Sequence, residues 1–227
     1  MANQEQLTHY PLGDRALVFV LGDGVYLETN KRIQQICSLL KDQPLNGILE
    51  FVPAFTTITI YYDPCILTYQ KVIDYIILLN KHLPSTEDEQ YSIKKIPVFY
   101  NGEDLAYVAS CHNLSTEEVI SIHSQVDYIV HMIGFTPGFP YLGGMDTRIT
   151  TARKQIPRLH VPAGSVGIGG EQTGIYSQDS PAGWQIIGHT PIQLFDIDKE
   201  QPSLLQAGDI VRFVSITEDQ YQILRNN

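Results

Sequence analysis

The apolar positions change their period along the chain, and each period predicts an element. Ala16 to Leu21 is a continuous apolar run closed by Gly22-Asp23-Gly24, the pattern of a buried strand and its turn. Ile33, Ile36, Cys37 and Leu40 then recur at helical spacing, with Thr29 or Asn30 placed to accept from the first free N–H groups. Ile48 to Val52 reads as a second strand. Thr57 to Tyr62 alternates, with Ile58, Ile60 and Tyr62 on one face and Thr57, Thr59 and Tyr61 on the other, as a half-buried strand requires. Asp63-Pro64 ends it. Tyr69, Val72, Ile73, Ile76 and Leu79 form the stripe of a second helix that stops before Pro84. The order β-α-β-β-α is most simply a small ferredoxin-like α/β domain over residues 1–84.

Pro84 to Gln90 (PSTEDEQ) is polar, acidic and aperiodic, which predicts a linker at about residues 85–90. Ser115 to Glu118 is a capping box opening a helix that continues through Val119, Ile122 and His123. Tyr128 to Ile133 is strand-like. Short strands and frequent Gly and Pro turns follow. Ile192–Ile197 and Ile210–Val214 are the clearest late strands, with Gly208-Asp209 as the turn between them. This density of short strands predicts a barrel or sandwich over residues 91–227, and an α+β fold class for the whole.

Composition narrows the function classes. The chain has 227 residues, 43% of them hydrophobic, enough for a sizeable core. Its formal charge of -10, from 25 acids against 15 bases, repels nucleic acid and anionic lipid, so neither is an expected partner. Cys37, Cys65 and Cys111 are odd in number, widely spaced and without a CxxC pair, which reads as reduced core thiols in a cytoplasmic protein. Met1 to Tyr10 is polar and lacks a signal-peptide pattern. Val72 to Leu79, broken by Asp74 and Tyr75, is too short to span a bilayer.

Candidate chemistry gathers between Gly134 and Pro191. Eleven of the 17 glycines fall between Gly134 and Gly188, as close backbone approach to a ligand or the tight corners of a barrel would require. From Thr147 to Gly170 there is no acidic residue, yet Arg148, Arg153, Lys154, Arg158 and His160 are present. In an acidic chain this is a local positive field, suited to binding carboxylate or phosphate or to docking a partner protein. Gly167-Ile168-Gly169-Gly170 fits neither a P-loop nor a dinucleotide fingerprint, since no Gly-Lys-Ser/Thr follows and the spacing is wrong. Ser165 lies outside any GxSxG elbow and reads as a hydrogen-bonding turn residue. Imidazole titrates near neutrality, so His131 and His189 are candidates for acid–base work, His131 first. Phe135, Tyr141, Tyr176 and Trp184, with Phe139, offer aromatic walls for a pocket or a docking patch. No His, Cys, Asp or Glu cluster has metal-ligand spacing, and no residue stands out as the catalytic base.

Three stretches carry a resemblance. They are Met132-Ile-Gly-Phe-Thr-Pro-Gly-Phe-Pro-Tyr-Leu-Gly-Gly144, Ile156-Pro-Arg-Leu-His-Val-Pro-Ala-Gly-Ser-Val-Gly167 and Gln172-Thr-Gly-Ile-Tyr176. With Trp184, Gly188-His-Thr-Pro191 and Gly13-Asp14-Arg15-Ala16-Leu17, they resemble the family of 5-oxoprolinase B subunits (PxpB) across the whole chain. That family overlaps with proteins labelled allophanate hydrolase subunit 1 and with the sporulation-kinase inhibitor KipI.

The resemblance implies an N-terminal α/β domain and a C-terminal cyclophilin-like β-barrel. It implies as partners the C and A subunits of 5-oxoprolinase, and cleavage of 5-oxo-L-proline to L-glutamate with ATP hydrolysis, Mg accompanying the nucleotide. It leaves open inhibition of a sensor histidine kinase, and hydrolysis or carboxyl transfer on a urea-like amide. For the lactam reaction, Arg148, Arg153, Arg158 and the N–H groups of Gly164 to Gly170 would hold phosphate or the substrate carboxylate, Gly169 and Gly170 foremost. Ser165, Gln172 and Thr173 would complete the pocket, the last two orienting the ring amide. The chain departs from the family's Asp-Pro-Arg at Asp146-Thr147-Arg148, its Pro-Arg at Ala152-Arg153 and its Gly-Arg-Thr at Gly188-His189-Thr190.

Overall fold

The alternation of Thr57–Tyr62 becomes an inner strand of a four-stranded antiparallel sheet. The computed structural model describes residues 7–24, 26–83 and 93–226, and the chain divides into two compact units, 1–90 and 91–227. The expected linker at 85–90 lies outside the described residues.

The first unit runs β1 (Thr8–Pro11), β2 (Ala16–Val20), α1 (Leu27–Asp42), β3 (Ile48–Pro53), β4 (Thr57–Tyr62) and α2 (Tyr69–Lys81). The sheet order is β1-β2-β4-β3. Strands β2 and β3 both run antiparallel to β4, so they are parallel to each other, with α1 as the connection between them. Ile58 and Ile60 pair with Phe19 and Leu17 and pack with Ile33 and Ile36 of α1 and Val72 and Ile76 of α2, all buried. The edge strand β1 has no apolar alternation to announce it. Helix α1 begins earlier than its candidate caps: Tyr26 is the N-cap, and Thr29 and Asn30 lie buried inside the first turn.

The second unit contains β5 (Ile93–Val98), α3 (Leu105–Cys111), α4 (Thr116–Ser124), β6 (Asp127–Ile133), β7 (Pro140–Gly143), β8 (Arg158–Val161) and β9 (Ser165–Gly169). It continues with β10 (Gln172–Ile175), β11 (Ser180–Ala182), β12 (Gln185–His189), β13 (Ile210–Ser215) and α5 (Glu218–Arg225). Seven strands form one sheet in the order β12-β9-β10-β7-β6-β13-β5, and β8 pairs separately with β11. The sheet curls until its two edges meet. Just beyond β5, Phe99 exchanges main-chain hydrogen bonds of 2.9 and 2.8 Å with His189 of β12. Gly188 permits that approach, since a Cβ there would stand 2.8 Å from the Phe99 carbonyl oxygen. Tyr128, Val130, Ile168, Ile175, Val211 and Phe213 fill the interior.

The capping box that opens α4 is formed in both directions: Glu118 N donates to Ser115 Oγ at 3.1 Å, and Ser115 N to Glu118 Oε2 at 2.7 Å. Two expectations are corrected. Ile192–Ile197 is not a strand. Its one ladder contact is a bridge from Phe195 to Ser203, Ile197 is exposed, and Pro191 just before it has no N–H to donate. Nor are the three thiols all core: Cys37 is buried, while Cys65 and Cys111 are exposed, and all three are free.

Candidate functional site

The loop from Ala152 to Pro157 connects a short 3-10 turn (Thr147–Ile149) to β8, and its backbone is tied to the segment before Trp184: Lys154 N donates to Gly183 O at 2.6 Å. This tie sets Arg153, Lys154 and Pro157 along one wall of a basin of about 180 Å³. Phe135, Phe139, Tyr141, Tyr176 and Trp184 supply the aromatic walls. Their rings meet edge to face, Phe139 against Trp184 at 5.5 Å and 81°, and Phe139 against Tyr141 at 4.9 Å and 64°. Burial raises the Tyr141 phenol and pushes Tyr176 up to about 12, so both hydroxyls stay neutral. Phe135 is held at φ 64°, an outlier for a bulky residue, and it is 57% exposed at the rim.

Arg153 is the cation this basin offers. Its Cζ stands 5.5 Å from the Trp184 ring centroid, and it has no carboxylate partner among the described residues. The other two candidate arginines are engaged. Arg158 spreads its guanidinium over two acids, Nη2 to Asp104 at 2.7 Å and Nε to Glu103 at 2.6 Å. Arg148 closes a local fork on Asp146. Asp104 is the anchor that residue patterns do not reveal. Its side chain is nearly buried, and it takes Lys154 and Arg158 on Oδ1 and the Ile186 N–H on Oδ2. Burial pushes this carboxyl up, but Arg158, Lys154 and that N–H outweigh it, so it stays below the usual carboxylate range.

Among the described residues, the main-chain donors of the glycine segment are committed to the fold rather than turned toward a phosphate. Strand β9 is paired on both edges, with β12 and β10, so its amides serve the two ladders. Gly164 N donates to Tyr176 O at 2.7 Å, Ser165 N to Pro162 O at 3.2 Å and Gly170 N to Thr151 O at 2.8 Å. Ser165 is fully buried, Gly169 backs Trp184, and Gln172 is half-buried opposite Gly169.

Thr173 is core. Its hydroxyl donates to Gly167 O at 3.0 Å and so accepts from His123 Nε2 at 2.9 Å, which leaves His123 Nδ1 to accept from Tyr100 Oη at 2.8 Å. His131 is buried against Gly143, its imidazolium disfavoured by burial. The structure therefore gathers Phe135, Tyr141, Arg153, Tyr176 and Trp184 into one basin. It leaves Arg148, Ser165, Thr173 and His131 out of that basin's lining. Among the described residues no group of three or more His, Cys, Asp or Glu is placed to hold a metal ion.

Known proteins match this chain along most of its length. The family described as carboxyltransferase domain, subdomain C and D, matches residues 7–205. A protein from Bacillus subtilis (strain 168), named as the B subunit of 5-oxoprolinase, is 41% identical over 235 residues, covering 92% of this chain and 93% of its own. The protein of the same name from Escherichia coli O157:H7 is 42% identical, covering 90% and 94%. Among solved structures, TTHA0988 superposes with a TM-score of 0.81 at 38% identity over 89% of this chain, which spans 40% of that longer chain. The chain therefore belongs to the carboxyltransferase subdomain C and D family, within the group of 5-oxoprolinase B subunits.

Proposed function

We propose that this chain is the B component of a cytoplasmic, heteromeric enzyme that opens 5-oxo-L-proline to L-glutamate with ATP hydrolysis, and that it is inactive alone. The relatives so named, at 39 to 42% identity over about nine-tenths of the chain, carry the reading. Residues 1–84 are a ferredoxin-like domain in which β1 takes the edge position usually given to a last strand; residues 91–227 form a cyclophilin-like barrel, the two joined by a linker at about 85–90. A lactam is a poor electrophile, and phosphorylating its carbonyl oxygen activates it. That step needs a phosphate cradle. The residues here do not fit one, because the amides of Gly164, Ser165, Gly170 and β9 are already engaged. ATP and its Mg are accordingly held by the partners, the C and A subunits.

This chain's contribution is a substrate subsite. The aromatic basin accepts the apolar flank of the lactam ring, and Arg153 pairs with its carboxylate. Asp104 keeps Lys154 and Arg158 against the barrel, so that the loop bearing Arg153 does not collapse. Co-purified with the A and C subunits, the chain should support 5-oxoproline-dependent ATP hydrolysis. The isolated chain should show none, and robust turnover by it alone would sink the shared-site reading.

A further inference from the structure

A second cavity of the barrel unit, about 540 Å³, lies where β12 ends and α5 packs. Pro162 to Gly164 line one side, His189 to Leu194 another, and Tyr221, Gln222 and Arg225 of α5 a third. The volume is in the range of small-molecule sites. None of the cavity's side chains belongs to the aromatic basin.

Its polar groups are fixed in kind. His189 Nδ1 lies 2.8 Å from Asn101 Oδ1, an acceptor, so Nδ1 carries the hydrogen and Nε2 presents a lone pair. No described residue occupies that Nε2. Burial disfavours the imidazolium more than Glu103 favours it, which keeps the ring neutral near pH 7. Gln193 donates its Nε2 to Phe195 O at 3.0 Å, leaving Oε1 as a second acceptor. Arg225, on the last turn of α5, has no carboxylate partner among the described residues. His189 Nε2 and Gln193 Oε1 are thus acceptors beside one cation, Arg225, in a lining that also holds the neutral donors of Asn101, Thr190 and Gln222. Sulfate, which at neutral pH only accepts hydrogen bonds, meets two lone pairs at these acceptors and is disfavoured. A ligand that is an anion at one end and an N–H donor close by satisfies both kinds of group.

We propose that this cavity is a second ligand site, for a small carboxylic acid bearing an N–H beside its carboxylate, with Arg225 pairing the carboxylate and His189 Nε2 accepting the N–H. Two acids of that class are a five-membered lactam acid and its ring-opened amino acid. The site stands whichever reaction the complex performs.

The test uses the full chain labelled with ¹⁵N, the imidazole nitrogens of His189 being followed during titration with 5-oxo-L-proline, L-glutamate and inorganic sulfate. One of the two acids should shift His189 Nε2 at millimolar concentration, and sulfate should not. Which acid acts distinguishes the lactam from the open form. Arg225→Gln, at an exposed helix end, should weaken the response at least tenfold with an unchanged Tm, and Arg153→Gln in the basin should leave it intact. In the Arg153→Gln chain, which lacks the basin's anion contact, His189→Phe should abolish the remaining binding of the acid measured by calorimetry. The proposal is overturned if neither acid moves the ring, if sulfate moves it as strongly, or if Arg225→Gln responds like the parent chain. None of these readouts needs the A and C subunits or ATP, so failure here is separable from failure of the oxoprolinase assay.

Discussion

The indole of Trp184 packs on Gly169 so closely that a Cβ at residue 169 would stand 2.5 Å from its Cε2 and Nε1. The back wall of the basin is therefore set by the absence of a side chain on β9. Gly169→Ala should displace Trp184 and destabilise the chain by about 1–3 kcal/mol, the usual cost of overpacking. Trp184 is the chain's single tryptophan, so intrinsic fluorescence reports this wall alone. An unchanged emission spectrum together with an unchanged Tm would show that the ring tolerates the methyl group.

Asp104 gives the second prediction. Removing it leaves Lys154, Arg158 and the Ile186 N–H without their shared acceptor. Asp104→Ala should cost about 3 kcal/mol, as when one partner of a buried ion pair is removed. Its folded pKa lies below the ordinary 3.8, so its contribution is present above pH 3.8 and fades as pH falls through the lower, folded value. Urea denaturation at pH 7 measures the loss, and a midpoint equal to the parent's would contradict it.

What the residues announced and what they hid differ by range. The alternation in β4 and the Ser115–Glu118 box are local, and both appear in the structure where the pattern puts them. The box Thr217 to Gln220 is just as local, yet the helix it opens buries no residue, so no apolar stripe drew attention to α5. Ile192–Ile197 has strand-like content, but it follows Pro191 and makes only the Phe195–Ser203 bridge, with Ile192 to Leu194 lining the cavity. The basic run from Arg148 to His160 was visible. That Arg158 is neutralised was not, because Glu103 and Asp104 stand more than fifty positions upstream. Of the two ladders that occupy the β9 amides, the β10 hairpin is local, while the β12 partner lies beyond two further strands in the chain.

The buried His123 makes stability depend on pH. Burial pushes its pKa from 6.5 down to about 3, so the folded chain leaves it neutral while the unfolded chain protonates it. Its contribution is complete above pH 6.5 and falls as pH drops from there toward 3, by up to about 1.4 kcal/mol per pH unit. His131 and His189 are shifted in the same direction by burial and add to the slope. Denaturation midpoints at pH 7.5 and 5.5 should differ in the parent chain, and the difference should shrink in His123→Gln. A difference that stays the same in that variant would mean that His123 is charged in the fold.

The last prediction separates the basin's Arg153 from Arg158, which opens β8 at the end of the same loop. Arg158 has its fork committed to Asp104 and Glu103, whereas Arg153 faces the cavity over Trp184. A lysine keeps the charge at either position but loses the planar fork. At 158 the loss falls on the protein: one of the two carboxylates is released, Tm drops, and KM for 5-oxoproline in the assembled complex changes little. At 153 the loss falls on the ligand: Tm holds, and KM rises roughly tenfold to a hundredfold, as expected for about 1.5–3 kcal/mol in a charged hydrogen bond. Thermal melts and steady-state ATP hydrolysis of the complex, run on both variants, decide the matter. If Arg153→Lys behaves as the parent while Arg158→Lys raises KM with an unchanged Tm, then Arg158 leaves its internal acids to meet the substrate, and the assignment of the anion contact to Arg153 is wrong.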